Sequence, residues 1–243
     1  ADDTAIYAAY NSGDLDYIDT VPNDEISSLN GINPEFGILD NLGTYYIGFN
    51  INDPIFDGKT EEQAAKMREA ISLLVDRQFI VENVGQTGHI AVAESVQQDV
   101  ALLGINLEIK SEDWNVFLQD RKDGNFTIAR EGWLADYNDP VNMLEIFTSD
   151  SGNNDMQLGK GTPVSYSPDW TAYNDLISQI RTTTDFAARV DLMHQAEDML
   201  MNTWAVIPIY YYNDVYMQKS NVTGIYATVY GMKYFMYATK SAQ

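Results

Sequence analysis

The run from Ile128 to Pro140, IAREGWLADYNDP, sets a guanidinium, an indole and a carboxylate close together along the chain. A strand that carries Arg130 and Trp133 and then breaks at Asp136 delivers these side chains to a strand end, where clefts form in layered α/β folds. Arginine grips a carboxylate with two parallel hydrogen bonds, and an ionised aspartate in a partly dry cleft holds an ammonium by charge-assisted ones. The set therefore suits a zwitterion, with Trp133 as the apolar wall beside it. A structural Arg–Asp pair packed on a core tryptophan fits the same residues equally well, and the run alone leaves both open.

Other chemistries find less support. The chain has no cysteine and only two histidines, His89 and His194, and it lacks a Gly-x-Ser-x-Gly elbow, so nucleophilic catalysis has few residues to use. Thirty-six acidic residues always supply some pair of carboxylates at glycosidase spacing, which makes that signal nonspecific. Asp136, Asn138, Asp139, Asp150, Asn153, Asn154 and Asp155 are oxygen donors of the kind calcium prefers, but their spacing fails the EF-hand template. Caps and turns are the ordinary use of such residues, so no metal is expected, and with no phosphate-cradling glycine loop no cofactor is expected either.

A formal net charge of −22 without a Lys/Arg cluster repels phosphate backbones and anionic membranes. Nucleic acid is excluded as a partner, and no stretch approaches the ~20 apolar residues of a membrane span. The start, Ala1-Asp2-Asp3, lacks the regions of a signal peptide, so the expectation is a removed export signal or an internal fragment.

The elements that must position the run are legible from periodicity. Helices are expected over Thr4–Tyr10, from Thr60 (a cap with Gln63 three residues on) through Leu74, over His89–Leu103, over Asp113–Gly124, over Pro168–Arg181 and over Asp185–Thr203, with a short one near Met143–Phe147. Strands are expected at Leu15–Ile18, Thr44–Ile51, Ile105–Ile109, Phe126–Arg130, Val206–Tyr212 and Val215–Met217. Strands and helices alternate without repeats, which predicts α/β or α+β layers.

Several stretches, taken in order, resemble the oligopeptide- and dipeptide-binding proteins of bacterial ABC importers, the family 5 extracellular solute-binding proteins. Asn11-Ser12-Gly13-Asp14-Leu15-Asp16-Tyr17 is similar to that family's "sGelD" turn, and Met67 to Arg77, MREAISLLVDR, to its "vRqAlnyaiDR" helix. Leu103-Gly104-Ile105 with Trp114, Gly132-Trp133-x-x-Asp136 with Asp139-Pro140, and Pro208-Ile209-Tyr210-Tyr211-Tyr212 complete the match.

The resemblance implies a mixed-sheet lobe of a type II periplasmic-binding-protein fold, without enzymatic activity. It assigns Asp136 to a peptide's α-ammonium, Trp133 to the aromatic wall, and the main chain at Gly132 and Leu134 to pairing with an extended ligand. Arg130, Arg121, Trp114 and Tyr46 match further pocket positions, Arg130 as a carboxylate partner, and His89 lies near another. The implied partners are a short peptide and a membrane permease; the implied protein is monomeric, periplasmic or extracellular, and membrane-anchored at full length. Same-family binding of nickel, haem, sugar or opines is the nearer alternative, and a glycan-binding module or glycoside-active enzyme the more distant one.

Family members are about twice as long and two-lobed, and they carry a further segment where this sequence reads Gln86-Thr87-Gly88-His89-Ile90. The expected layout is a remnant of the first lobe and hinge over 1–43, a ligand-binding lobe over 44–212 with an excision at 88/89, and closing strands over 213–243. The chain is thus expected to be truncated, with Gly88 and His89 forming a surface turn.

Overall fold

A computed structural model describes residues 2–84 and 88–242. The chain forms two units, one running to Thr44 and resuming at Tyr211, the other being Tyr45–Tyr210.

In the first unit, α1 (Asp3–Ser12) starts where the Asp2 carboxylate accepts the Thr4 N–H at 2.8 Å, and stops at Gly13, whose φ of 88° suits a residue without Cβ. Next come β1 (Tyr17–Ile18), α2 (Asn23–Leu29) and the start of β2 (Phe36–Phe49). The returning chain adds the end of β4 (Val206–Gln218), which pairs antiparallel with β1 in the register Tyr17↔Gln218 and Ile18↔Met217. Two small antiparallel pairs follow: β5 (Val222–Thr223) with β8 (Thr239–Lys240), and β6 (Tyr226–Ala227) with β7 (Lys233–Tyr234). Tyr10, Ile18, Val21, Leu29 and Met217 form the core of this unit.

The second unit begins inside β2 and ends inside β4. A short 3₁₀ turn (Pro54–Phe56) leads to α3 (Glu61–Leu74), which opens with a complete capping box: the Gln63 N–H meets Thr60 Oγ1 at 3.3 Å and the Thr60 N–H meets Gln63 Oε1 at 3.0 Å. After α4 (Arg77–Phe79) and a π-helical turn (Ile80–Val84) comes α5 (His89–Ala101), which Gly88 caps without a side chain. Gln86 and Thr87, part of the expected excision, lie outside the described residues; Gly88 is half-buried and His89, the first helical residue, is exposed.

Then follow α6 (Trp114–Asp123), β3 (Ile128–Leu134), α7 (Val141–Glu145), α8 (Thr171–Thr182) and α9 (Phe186–Asn202). In this unit the strand order is β4-β2-β3, with β3 at the end of the sheet. Helices α7, α8 and α9 supply half of the main core, among them Val141, Leu144, Tyr173, Ile177, Ile180, Met193 and Leu200. Gly48 lets the 149–161 loop close on β2, since a Cβ there would stand 1.9 Å from Met156 Sδ.

The mixed α/β architecture is the one expected, with three local corrections. The strand expected at Thr44–Ile51 begins at Phe36, and the two expected near the end of the chain are continuous as β4. No strand forms at Ile105–Ile109, although exposure still alternates there with period two: the pattern reports which side faces the protein, and no neighbouring strand supplies a ladder.

Candidate functional site

Three groups of side chains gather around β3, and each is set by the helix or loop beside it. Helix α6 starts under Asp113, whose carboxylate accepts the Asn115 N–H at 3.0 Å, and ends at Gly124 in the left-handed region. This puts Trp114, Phe117 and Arg121 on one stripe. The exposed Trp114 ring has the Arg130 guanidinium 5.9 Å from its centroid, and that cation also lies 5.2 Å from the ring of Tyr45. Tyr45 in turn stacks on Tyr210 at 4.6 Å and on His89 at 5.6 Å. Arg130 is thus a cation set against two aromatic rings, a geometry that holds a guanidinium in place. Burial, and then the charge of Arg130, hold His89 below the usual imidazole range, so it is neutral at neutral pH.

The second group closes the strand end. Asn142, 2% exposed, accepts both Trp133 Nε1–H at 3.0 Å and the Asp136 N–H at 2.9 Å, so one amide oxygen fixes the indole and the backbone of the turn. Its Nδ2 points toward Asp136 Oδ2 at 3.5 Å and Glu145 Oε1 at 3.4 Å. Asn142 is placed by α7, whose first turn is capped by Asp139 through the Val141 N–H at 3.0 Å; Arg189 holds Asp139 at 2.8 Å. Burial raises both Asp139 and Glu145, but Arg189 and the Val141 N–H outweigh it at the first, as Tyr137, Arg181 and Asn142 do at the second. Both stay below the ordinary carboxylate range. An open pocket of about 250 Å³ lies here, lined by Trp133, Asp136, Asn142, Glu145, Asp150 and Arg181 among others. Asp136 itself is exposed at its rim.

The third group is buried. Arg121 NH1 donates to Glu131 Oε2, and Arg121 Nε lies 3.4 Å from Asp155 Oδ2.

The family model of "Bacterial extracellular solute-binding proteins, family 5 Middle" matches residues 1–91 and again 84–155. The chain belongs to this family. Among its relatives, the dipeptide-binding protein DppE of Bacillus subtilis (strain 168) is 26% identical over 285 residues, covering 90% of this chain and 49% of DppE. The oligopeptide-binding protein OppA of the same organism is 32% identical over 148 residues, 60% of this chain and 26% of OppA. A solved oligopeptide ABC transporter from Bacillus anthracis str. Ames (substrate-binding domain) has the same fold, with a TM-score of 0.75 at 18% identity over 99% of this chain and 57% of that one. The family 5 chain described here spans about half the length of DppE and less of OppA.

Of the residues singled out from sequence, the structure brings Arg130 to Trp114, and Trp133 to Asp136. Gly132 and Leu134 lie on β3, the second exposed. Tyr46 goes elsewhere: it is buried in the main core, 6.2 Å from Phe147, and its neighbour Tyr45 takes the place beside Arg130, because successive strand residues face opposite ways. Three of the positions that the resemblance assigns to one pocket are therefore divided, Tyr46 and Trp133 packing on the main core and Arg130 on Tyr45. Arg121 is committed to two buried carboxylates. Tyr45, Asn142 and Glu131 had no site role in the sequence reading, Tyr210 stood only within a matching stretch, and Asp155 only among the calcium-type oxygen donors. Only Tyr45 carried a local signal, as the alternate residue of the same strand. Of the oxygen donors considered for calcium, Asp139 serves a turn as described, Asn154 bonds to Thr148 O, Leu158 O and the Leu158 N–H, and Asp155 pairs with Arg121.

Proposed function

We propose that this chain is part of the substrate-binding component of an ABC importer, a protein that captures short peptides and passes them to a membrane permease without altering them. The observation that carries this is the end of β3. A strand at the margin of its sheet, with Leu134 exposed, leads directly into a rim carboxylate, Asp136, beside an indole fixed by Asn142. An extended peptide can add to such a margin through its main chain, which is the role given to Gly132 and Leu134. Asp136 then receives the α-ammonium, Trp133 walls the first residue, and Arg130 with Trp114 meets a carboxylate or an acidic side chain further along. Arg121 holds β3 through Glu131, and Tyr46 belongs to the core against which Trp133 packs.

The family's description as extracellular supports a location outside the cytoplasm; to this the reading adds a monomeric protein, anchored to the membrane at full length. No helix among the described residues is long and apolar enough to cross a membrane. The family model matches twice, and the two matches meet at 84–91, which supports the reading that a segment carried there by relatives is missing from this sequence. The unit break at Thr44/Tyr45 and Tyr210/Tyr211 supports Tyr45–Tyr210 as the ligand-gripping lobe and the remainder as a strip of the other.

Mass spectrometry of the denatured full-length protein should release copurified peptides; oligosaccharide in their place would favour a glycan binder. Calorimetry then tests the anchor. Asp136→Asn keeps shape and loses charge, and should weaken a peptide with a free amine by about 2–5 kcal/mol. An N-acetylated peptide should bind poorly to wild type and lose little more on mutation. Equal losses for both peptides would make Asp136 a structural residue.

A further inference from the structure

Glu131 stands in β3 between Arg130 and Gly132, 4% exposed, and shares one guanidinium with Asp155, which is 5% exposed. The three partners come from three places: Arg121 from α6, Glu131 from β3 and Asp155 from the 149–161 loop. Glu131 Oε1 and Asp155 Oδ1 are buried and make no hydrogen bond among the described residues. With every group ionised the triad holds two negative charges against one positive. A net buried anion of this kind is costly, and paired carboxylates relieve it by keeping a proton between them.

The surrounding cations do not outweigh burial. Arg130, on the same strand, and Arg121 attract Glu131, while Lys122 and Lys160 join Arg121 in attracting Asp155; at both carboxyls burial is the larger influence and leaves them raised. We infer that the Glu131–Asp155 pair retains one proton at neutral pH, and that this proton clamps α6 and the 149–161 loop to β3 until mildly alkaline conditions remove it. The Glu131 carboxyl, pushed up to about 8, agrees with that placement. The clamp goes beyond the peptide reading and does not depend on it.

The sign follows from proton counting. Between the ordinary carboxyl value of 4.5 and about 8 the folded protein binds a proton that the unfolded chain has released. Its stabilisation is therefore complete below the first value and lost as pH rises through the second, by up to about tenfold in the folding constant per pH unit.

Urea unfolding of wild type, Glu131→Gln, Asp155→Asn and the double variant, from about pH 5.5 to 9, reads this slope. Relative to Glu131→Gln, wild type should lose stability steadily up to about pH 8 and then run parallel to it, and Asp155→Asn should abolish the slope just as Glu131→Gln does. Infrared spectra of wild type at neutral pH should show the carbonyl stretch of a protonated carboxyl that Glu131→Gln lacks. Parallel stability profiles for wild type and both single variants, or no protonated carboxyl at neutral pH, would overturn the inference. The infrared measurement on wild type decides the matter even where a variant does not fold.

Discussion

Arg68 and Arg121 are both buried in the Tyr45–Tyr210 unit, and they solve the problem of a buried charge in opposite ways. Arg68, 1% exposed on α3, donates Nε–H to Thr203 O at 2.8 Å and lies 5.1 Å from the ring of Phe56. Burial pulls its guanidinium down to about 10, with Glu61 opposing weakly, so it stays charged on the strength of a carbonyl dipole and a π face. Arg121 instead faces a surplus of carboxylates. A guanidinium stays charged through neutral and mildly alkaline pH, whereas a buried carboxyl can keep a proton there. Excess buried cation therefore has to be met by dipoles, and excess buried anion by a proton.

The largest effect should come from Arg121→Met, which leaves both carboxyls without their cation. Denaturant unfolding at pH 7 should show a loss of about 3–5 kcal/mol, a good part of it recovered when Glu131→Gln is added. Arg68→Met should cost less, about 2 kcal/mol, because it removes a desolvated charge while leaving the Thr203 carbonyl unpaired. That loss should be flat between about pH 6 and 9, since no titrating partner is exposed; a pH slope like that of the triad would break the comparison. Phe56→Leu keeps the cation and takes away its ring, and a loss of about 1 kcal/mol with unchanged pH dependence would sharpen it.

How much of this was legible depended on how local each cause was. The Thr60–Gln63 capping box and the Gly124 stop were readable because a cap and its partners lie within a turn of one another. The early start of β2 was not, because Gly37, Asp40, Asn41 and Gly43 are poor strand formers. Partners distant in sequence hold the chain there, such as Val229 O accepting the Leu42 N–H at 2.6 Å. The strand end with Arg130, Trp133 and Asp136 was visible as a run of residue types, but Asn142, which fixes Trp133 and the turn at Asp136, sits in the short helix that follows. Least readable was the fate of Arg121. Its partners Glu131 and Asp155 lie ten and thirty-four residues downstream, and nothing in the alternation of β3 distinguishes a buried glutamate from a solvent-facing one.

The contact of Met156 with Gly48 has a consequence for oxidation. With no cysteine in the chain, methionine is its readily oxidised sulfur. Met232 and Met236 are exposed and open to peroxide, whereas Met156, 1% exposed, has its sulfur lodged where even one added carbon on Gly48 would collide. A sulfoxide oxygen has no room there while the loop stays closed on β2. Met156 therefore oxidises only in molecules whose loop has opened, and its sulfoxide is a lasting chemical record of that opening.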